Sequence, residues 1–324
     1  MEVLNDFGAV KYYGVRTLTT GIFRSWGGLY DLGSALRLGM VLLTLVAMLL
    51  WLERRSRRGR EFTTDQVPTR RAALSPLAQW MASGLCALVL LLSVALPIGK
   101  LCIDAISSSA PLIDPPLLAA LGRSMLLALG AVILVLGIAL LFAYRERNGR
   151  KSVLLLQAAT LSYAVPGAVI AIGTMALVGP IDRSGWQGPV LIGSICLLLY
   201  AYASRFLAVG TQPVLGALRS QPITLDHSAF VLGASPWRTF VRINLPLLKP
   251  AFIAAAMLVA IDVIKELPLT LILRPFDFET LSTSAYRFAS IEHLREAARP
   301  ALLIVLCAVV PIITLDRLLE RIRL

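Results

Sequence analysis

The chain has 324 residues, 57% of them apolar and 15% charged, with a mean hydropathy of +0.77 and a formal net charge of +12. Soluble domains carry about 25% charged residues, so this composition excludes a soluble enzyme, a disordered chain and a disulfide scaffold. The excess of cations reads as basic loops at a membrane surface rather than as nucleic-acid binding.

Crossing the hydrocarbon core takes about 20 apolar helical residues, with a range of roughly 17–25. Seven stretches reach or approach that length: 35–52, 77–105, 117–143, 152–178, 188–208, 251–273 and 300–315. The spacing predicts an all-α polytopic helix bundle of about seven transmembrane helices. Arginine and lysine orient it. Arg54, Arg55, Arg57, Arg58, Arg60, Arg70 and Arg71 follow the first stretch, and four more basic residues follow the third. The segment Arg205–Lys249 and the tail bring the total on alternate loops to 19 of 31, which makes those loops and the C-terminus cytoplasmic. With seven spans, residues 1–34 then lie outside, although the first 30 contain no signal-peptide core.

An internal repeat explains this. Residues 2–8 (EVLNDFG) parallel 262–268 (DVIKELP), and Thr17–Arg24 parallel Thr280–Arg287. The first stretch ends in Glu53-Arg54 and the last in Asp316-Arg317. The expected organisation is therefore the tail of one repeat over residues 1–71 and a second, six-span repeat over 72–324. Parallel copies imply a pseudo-two-fold axis along the membrane normal with a pathway between the halves. The arithmetic also predicts a parent chain longer by roughly 200 residues or more.

The polar segment 209–247 interrupts the second repeat. Thr224 is a candidate N-cap before Asp226, and Leu225, Ala229 and Leu232 form one apolar face. Gly233 allows a sharp turn. Ser235 with Pro236 can start a second helix, on which Trp237, Phe240 and Val241 make another apolar face. This helix–turn–helix either rests flat on lipid or docks another protein through anchors such as Trp237.

Gly233, nine residues, then Ile243-Asn244-Leu245-Pro246, with Ala229 four residues before the glycine, resembles the loop signature of permease subunits of ATP-binding-cassette importers. That signature usually has Glu where this chain has His227, with Asp226 keeping an acid beside it. The resemblance implies a fold like that of type I importer permeases. It also implies that Asp226, His227, Ala229, Gly233, Trp237, Ile243, Leu245 and Pro246 couple the chain to a cytoplasmic ATPase dimer, with cargo delivered by a periplasmic substrate-binding protein. Lys265–Pro268 through Leu273–Phe276 resemble the ferric-iron subgroup, in which two six-span halves are fused. What this implies is a permease of the bacterial inner membrane that imports ferric iron by alternating access.

Asp262, Lys265 and Glu266 fall at i, i+3 and i+4, so one helix face would carry all three. With Pro268 kinking the helix behind them, they read either as a pathway or gate lining or as an ion pair near the surface with a snorkelling lysine. Arg123 reads as an interfacial anchor, Pro166-Gly167 as a kink in the uncharged fourth stretch, and Gly173 and Gly193 as points of close helix approach.

The sequence contains no G-x-x-x-x-G-K-[ST] phosphate loop, no H-E-x-x-H and no dinucleotide turn, so neither intrinsic ATP hydrolysis nor another enzymatic activity is expected. Cys86, Cys102, Cys196 and Cys307 read as buried free thiols. His227 and His293 are too isolated for zinc, and no cofactor is expected. The competing readings are an ion- or proton-coupled transporter, which needs no docking loop, and a non-functional fragment of a longer permease.

Overall fold

The computed structural model describes residues 6–57, 75–149, 162–184, 188 and 190–323. The basic linker 58–74, Arg150 and Lys151 lie outside them. In chain order the helices are α1 (Gly8–Tyr12), α2 (Leu18–Phe23), α3 (Leu32–Arg57), α4 (Pro76–Ile106), α5 (Pro115–Arg147) and α6 (Gly167–Arg183). They continue with α7 (Ile195–Ser220), α8 (Thr224–Val231), α9 (Pro236–Lys265), α10 (Pro268–Leu273), α11 (Leu281–Ser290) and α12 (Leu294–Arg323). Six of these, α3, α4, α5, α7, α9 and α12, are long and apolar enough to cross a membrane. No strand occurs among the described residues. In lipid a helix satisfies its own backbone groups, which an open strand cannot do.

The helix limits differ from the expected ones in three places. The stretch 152–178 falls partly outside the described residues, and its described part is broken rather than kinked. Helix stops at Ala164, and α6 restarts at Gly167 after Val165-Pro166. Proline disfavours helical geometry in the residue before it and donates no N–H. The stretch 251–273 also ends early. α9 stops at Lys265, Glu266 is extended with ψ 118°, and Pro268 opens α10 instead of bending α9. Proline at a first helical turn forfeits no hydrogen bond. Finally, α7 runs on to Ser220 through Pro213, so residues 209–220 belong to a long helix and not to the polar loop. Buried Val214, Leu215 and Leu218 continue its inner face.

The core forms where α5, α7 and α9 pack pairwise. On α5, Leu127, Ala131, Val135, Ala139 and Ala143 repeat every four residues, and all are buried. Apolar lipid gives no hydrophobic drive for helix association, so small residues that admit close packing carry the contact. Gly210 of α7 is one such point, since a Cβ there would meet Val135 Cγ1 at 2.3 Å. The glycines expected in this role behave differently. Nothing lies within 4 Å of a Cβ at Gly173, and Gly193 is set by its φ of +78°. The four cysteines are free, but Cys86 and Cys196 are exposed rather than buried.

The two segments with parallel sequence make parallel bonds. Thr17 with Thr20 and Thr280 with Thr283 form capping boxes at the starts of α2 and α11. Thr19 donates to the Asp6 carbonyl at 3.3 Å, and Ser282 donates to the Glu266 carbonyl at 2.9 Å. The Asp6 carboxylate accepts from the Ala9 N–H at 3.1 Å, and that of Glu266 accepts from the Leu269 N–H at 3.2 Å. Tyr30 and Glu292, each two residues before a long helix, both have positive φ.

At the start of α5, Asp114 caps the helix through Leu117 N–H and pairs with Arg299 of α12 at 2.7 Å. The Arg299 hydrogen bond, then the cap, hold the Asp114 carboxyl below its ordinary range. A depressed folded-state value stabilises above the unfolded pKa, and that stability is lost as pH falls through the folded one. The difference in melting temperature between wild type and Asp114→Asn should therefore stay constant from neutral pH to about 5 and shrink below about 4. Gly210→Ala should destabilise by about 1–3 kcal/mol through overpacking, while Gly173→Ala should be neutral or mildly stabilising. Thermal unfolding in detergent distinguishes the two.

Candidate functional site

Two sites emerge, at opposite ends of α9. The first is the hook formed by residues 221–246. Thr224 lies inside α8 rather than capping it, and its carbonyl accepts from Ser228 Oγ at 2.9 Å. Gly233 turns the chain with φ +79°, a conformation glycine adopts without Cβ strain. Ser235 then accepts from Arg238 N–H at 3.3 Å, with Pro236 in the first turn. The helix begun there does not end in the loop. It passes through a π turn at Phe240–Asn244 and becomes the membrane-length rod α9.

Asp226 faces inward. It is 3% exposed, pairs with Arg147 Nε and accepts from Asn244 Nδ2 at 3.0 Å. Arg147 also donates to the Gln221 and Pro222 carbonyls, both at 3.1 Å, just beyond the end of α7. Helix ends leave such carbonyls without intrahelical partners. Asp226 is thus a staple joining α5, α7, α8 and α9, and is not presented to a partner. Ala229 is buried too. Tyr144 supports the other limb, edge-on to Trp237 at 5.3 Å and to Phe240 at 5.2 Å. His227, Gly233, Trp237 and Pro246 are exposed, and Ile243 and Leu245 are half-buried. Val231 and Leu232 at the tip are each 87% exposed.

The second site lies where α9 breaks. Asp262, Lys265 and Glu266 do not share a face, because the helix ends before Glu266. Asp262 and Lys265 pair with each other at 3.0 Å near the surface. Glu266 turns inside and meets Arg205 of α7, Nε to Oε2 at 3.4 Å, with both side chains 6% exposed. Arg205 also donates to the Val165 carbonyl at 3.3 Å, beside the break that precedes α6. The Glu266 carbonyl accepts from Thr270 at 2.6 Å and from Ser282. The Tyr202 hydroxyl lies 2.5 Å from that of Thr270, and Pro268 is buried in α10. Gly167 completes the cluster. A Cβ there would lie 2.4 Å from Glu266 Oε1 and 2.6 Å from Arg205 Nη1, so a larger residue would displace the ends of the pair.

Arg205 had been counted among loop cations. The signal that finds it is an arginine ten residues into an apolar helix, since charge at that depth requires a partner. Arg123 is bonded within the chain, its Nη1 donating to the Asp277 carbonyl at 2.9 Å and its guanidinium lying over the Phe278 ring.

Six helices long and apolar enough to cross a membrane, with a buried ion pair at one end of α9 and a folded hook at the other, make a polytopic membrane bundle. Comparison with known proteins gives the family: the chain matches the binding-protein-dependent transport system inner membrane components over residues 133–323 and belongs to that family. The Fe(3+)-transport system permease protein FbpB 2 of Haemophilus influenzae is 24% identical over 329 aligned residues, covering 98% of this chain. The chain spans 63% of the length of that relative. Among solved structures, a bacterial ABC transporter involved in the import of the acidic polysaccharide alginate has the same fold. It is 14% identical with a TM-score of 0.58, covering 76% of this chain and 97% of the matched one. A bacterial alginate ABC transporter in complex with an alginate pentasaccharide-bound periplasmic protein matches equally, covering 96% of its chain.

Removing one partner of a buried ion pair strands the other charge, a cost of about 3–5 kcal/mol, whereas replacing both with apolar residues is close to neutral. Arg205→Met and Glu266→Leu should each lower the melting temperature sharply, and the double variant should recover most of the loss. The double-mutant cycle in detergent checks this.

Proposed function

We propose that the chain works in an ATP-driven importer of ferric iron, with the hook seated on a cytoplasmic ATPase subunit. The carrying observation is the hook itself. Its apolar tip is exposed while its base is stapled to three membrane helices, so it can receive a push without unfolding. Exposed apolar surface of this kind marks an interaction site, and Trp237 and Arg238 are the residue types that anchor interfaces. Family membership supports the ATPase partner and a periplasmic binding protein, and the name of the Haemophilus relative supports iron as cargo. On this reading the hook and the C-terminus face the cytoplasm. Residues 1–71 are the tail of a first permease repeat, and 72–324 form the second. The parallel bonds of Asp6 with Glu266 and of Thr19 with Ser282 support that division.

The cycle is alternating access. ATP closes the ATPase pair, the hooks move together, and the halves rock about the axis between them. A partner shifts such an equilibrium only by binding the two states with different free energies, so the tip contacts must differ between open and closed pairs. The buried Arg205–Glu266 pair holds the breaks together. Asp262 and Lys265, nearer the surface, are the remaining candidates for a gate.

Leu232→Asp leaves the staple intact and should abolish co-purification of the ATPase and ATP-dependent uptake of radio-iron, with an unchanged melting temperature. Gly233→Pro, which cannot adopt the positive φ of the turn, should do the same. Full ATPase retention by both variants would overturn the docking assignment.

A further inference from the structure

At the end of α9 away from the hook, α2 faces the hairpin made by α10 and α11. The 30 residues of α9 place that end about 45 Å from the turn at Gly233. The α1–α2 segment meets that hairpin through Phe7 and Tyr286, with ring centroids 5.5 Å apart. Beside this contact opens a cavity of about 550 Å³. Lys11, Arg16 and Arg24 stand on its wall, together with Phe23, Trp26 and Tyr286. No carboxylate is among the residues lining it. The three cations are exposed, and none has a carboxylate partner among the described residues. Inside the bundle, by contrast, Arg147, Arg205 and Arg299 each face a carboxylate.

Three cations with no carboxylate partner among the described residues, set around one concavity, make a positive field that draws in anions and repels cations, the more so against low-dielectric walls. An arginine fork donates two parallel hydrogen bonds to the oxygens of one carboxylate. A bare trivalent metal ion is repelled by this wall, whereas the same ion wrapped in carboxylates carries net negative charge and fits it. The aromatic rings offer flat apolar surface to the body of such a chelate.

We propose that this cavity binds ferric iron as an anionic polycarboxylate chelate, so that the permease accepts a complexed rather than a bare ion. Lys11, Arg16 and Arg24 are its recognition residues. This rests on the reading of iron as cargo.

The test is titration calorimetry of the whole chain in lipid nanodiscs with ferric citrate, set beside radio-iron uptake by cells carrying the cognate ATPase. Ferric citrate should bind, more weakly as salt screens the cations. Hexaamminecobalt(III), a compact trivalent cation, should not bind. Lys11→Gln, Arg16→Gln and Arg24→Gln combined should weaken ferric citrate binding by about tenfold or more, in keeping with the loss of charge-assisted hydrogen bonds, and should slow uptake. Arg37→Gln, outside the cavity, should leave binding unchanged. An unchanged affinity in the triple variant at unchanged melting temperature overturns the proposal, as does tight binding of the cobalt cation or no binding of ferric citrate to wild type. If wild type imports no iron while citrate still binds at the three cations, the cargo reading fails and the anion selectivity of the cavity stands.

Discussion

One buried contact ties the broken segments together, the Arg205–Glu266 ion pair, in which each charge requires the other. Charge inside an apolar bundle is tolerated only where geometry supplies a partner. Here that partner comes from another helix, and the cost is met at the places where helices are already broken. Pro166 and Pro268 each interrupt a helix, and each break frees backbone groups that need hydrogen bonds. The pair and its neighbours supply them. Arg205 takes the Val165 carbonyl, and the Glu266 carbonyl takes two hydroxyls. Gly167 leaves the room for this to happen. The charges, prolines and glycine are therefore one feature, and loss of any of them disturbs all three segments.

The opposite end of α9 is held in the same manner by a second arginine–carboxylate pair. Arg147 and Asp226 close the base of the hook, with Asn244 of α9 bonded to the same carboxylate. The helix that ends at Lys265 beside one ionic node thus begins at the other. A rod fixed at both ends transmits displacement from one to the other. The hook is an extension of a membrane helix and not a separate loop tied by linkers.

Much of this was legible in the sequence because it is periodic. Apolar runs of membrane length, the basic bias of alternate loops and the glycine-to-proline spacing of the hook all follow from one-dimensional patterns. The turn at Gly233 and the cap at Ser235 came directly from residue type. What was not legible depended on pairing at a distance. Arg205 looked like a loop cation because its partner lies 61 positions away. Asp226 looked like a surface acid until Arg147 and Asn244 were seen on either side of it. Glu266 shared a helical face with Asp262 and Lys265 by spacing alone, but the helix stops one residue short of it. Close-approach glycines could not be ranked, since the neighbour that makes Gly210 tight and Gly173 open belongs to another helix.

The central claim is that hook and far hairpin move as one body while the α1–α2 segment moves relative to that hairpin. Spin labels at Leu232 and Ile291, and separately at Tyr13 and Ile291, report this directly by electron–electron resonance in the assembled transporter. All three positions are exposed. The account predicts an unchanged 232–291 distance between nucleotide-free and ATP-bound states, with a changed 13–291 distance. A changed 232–291 distance with a fixed 13–291 distance would contradict it.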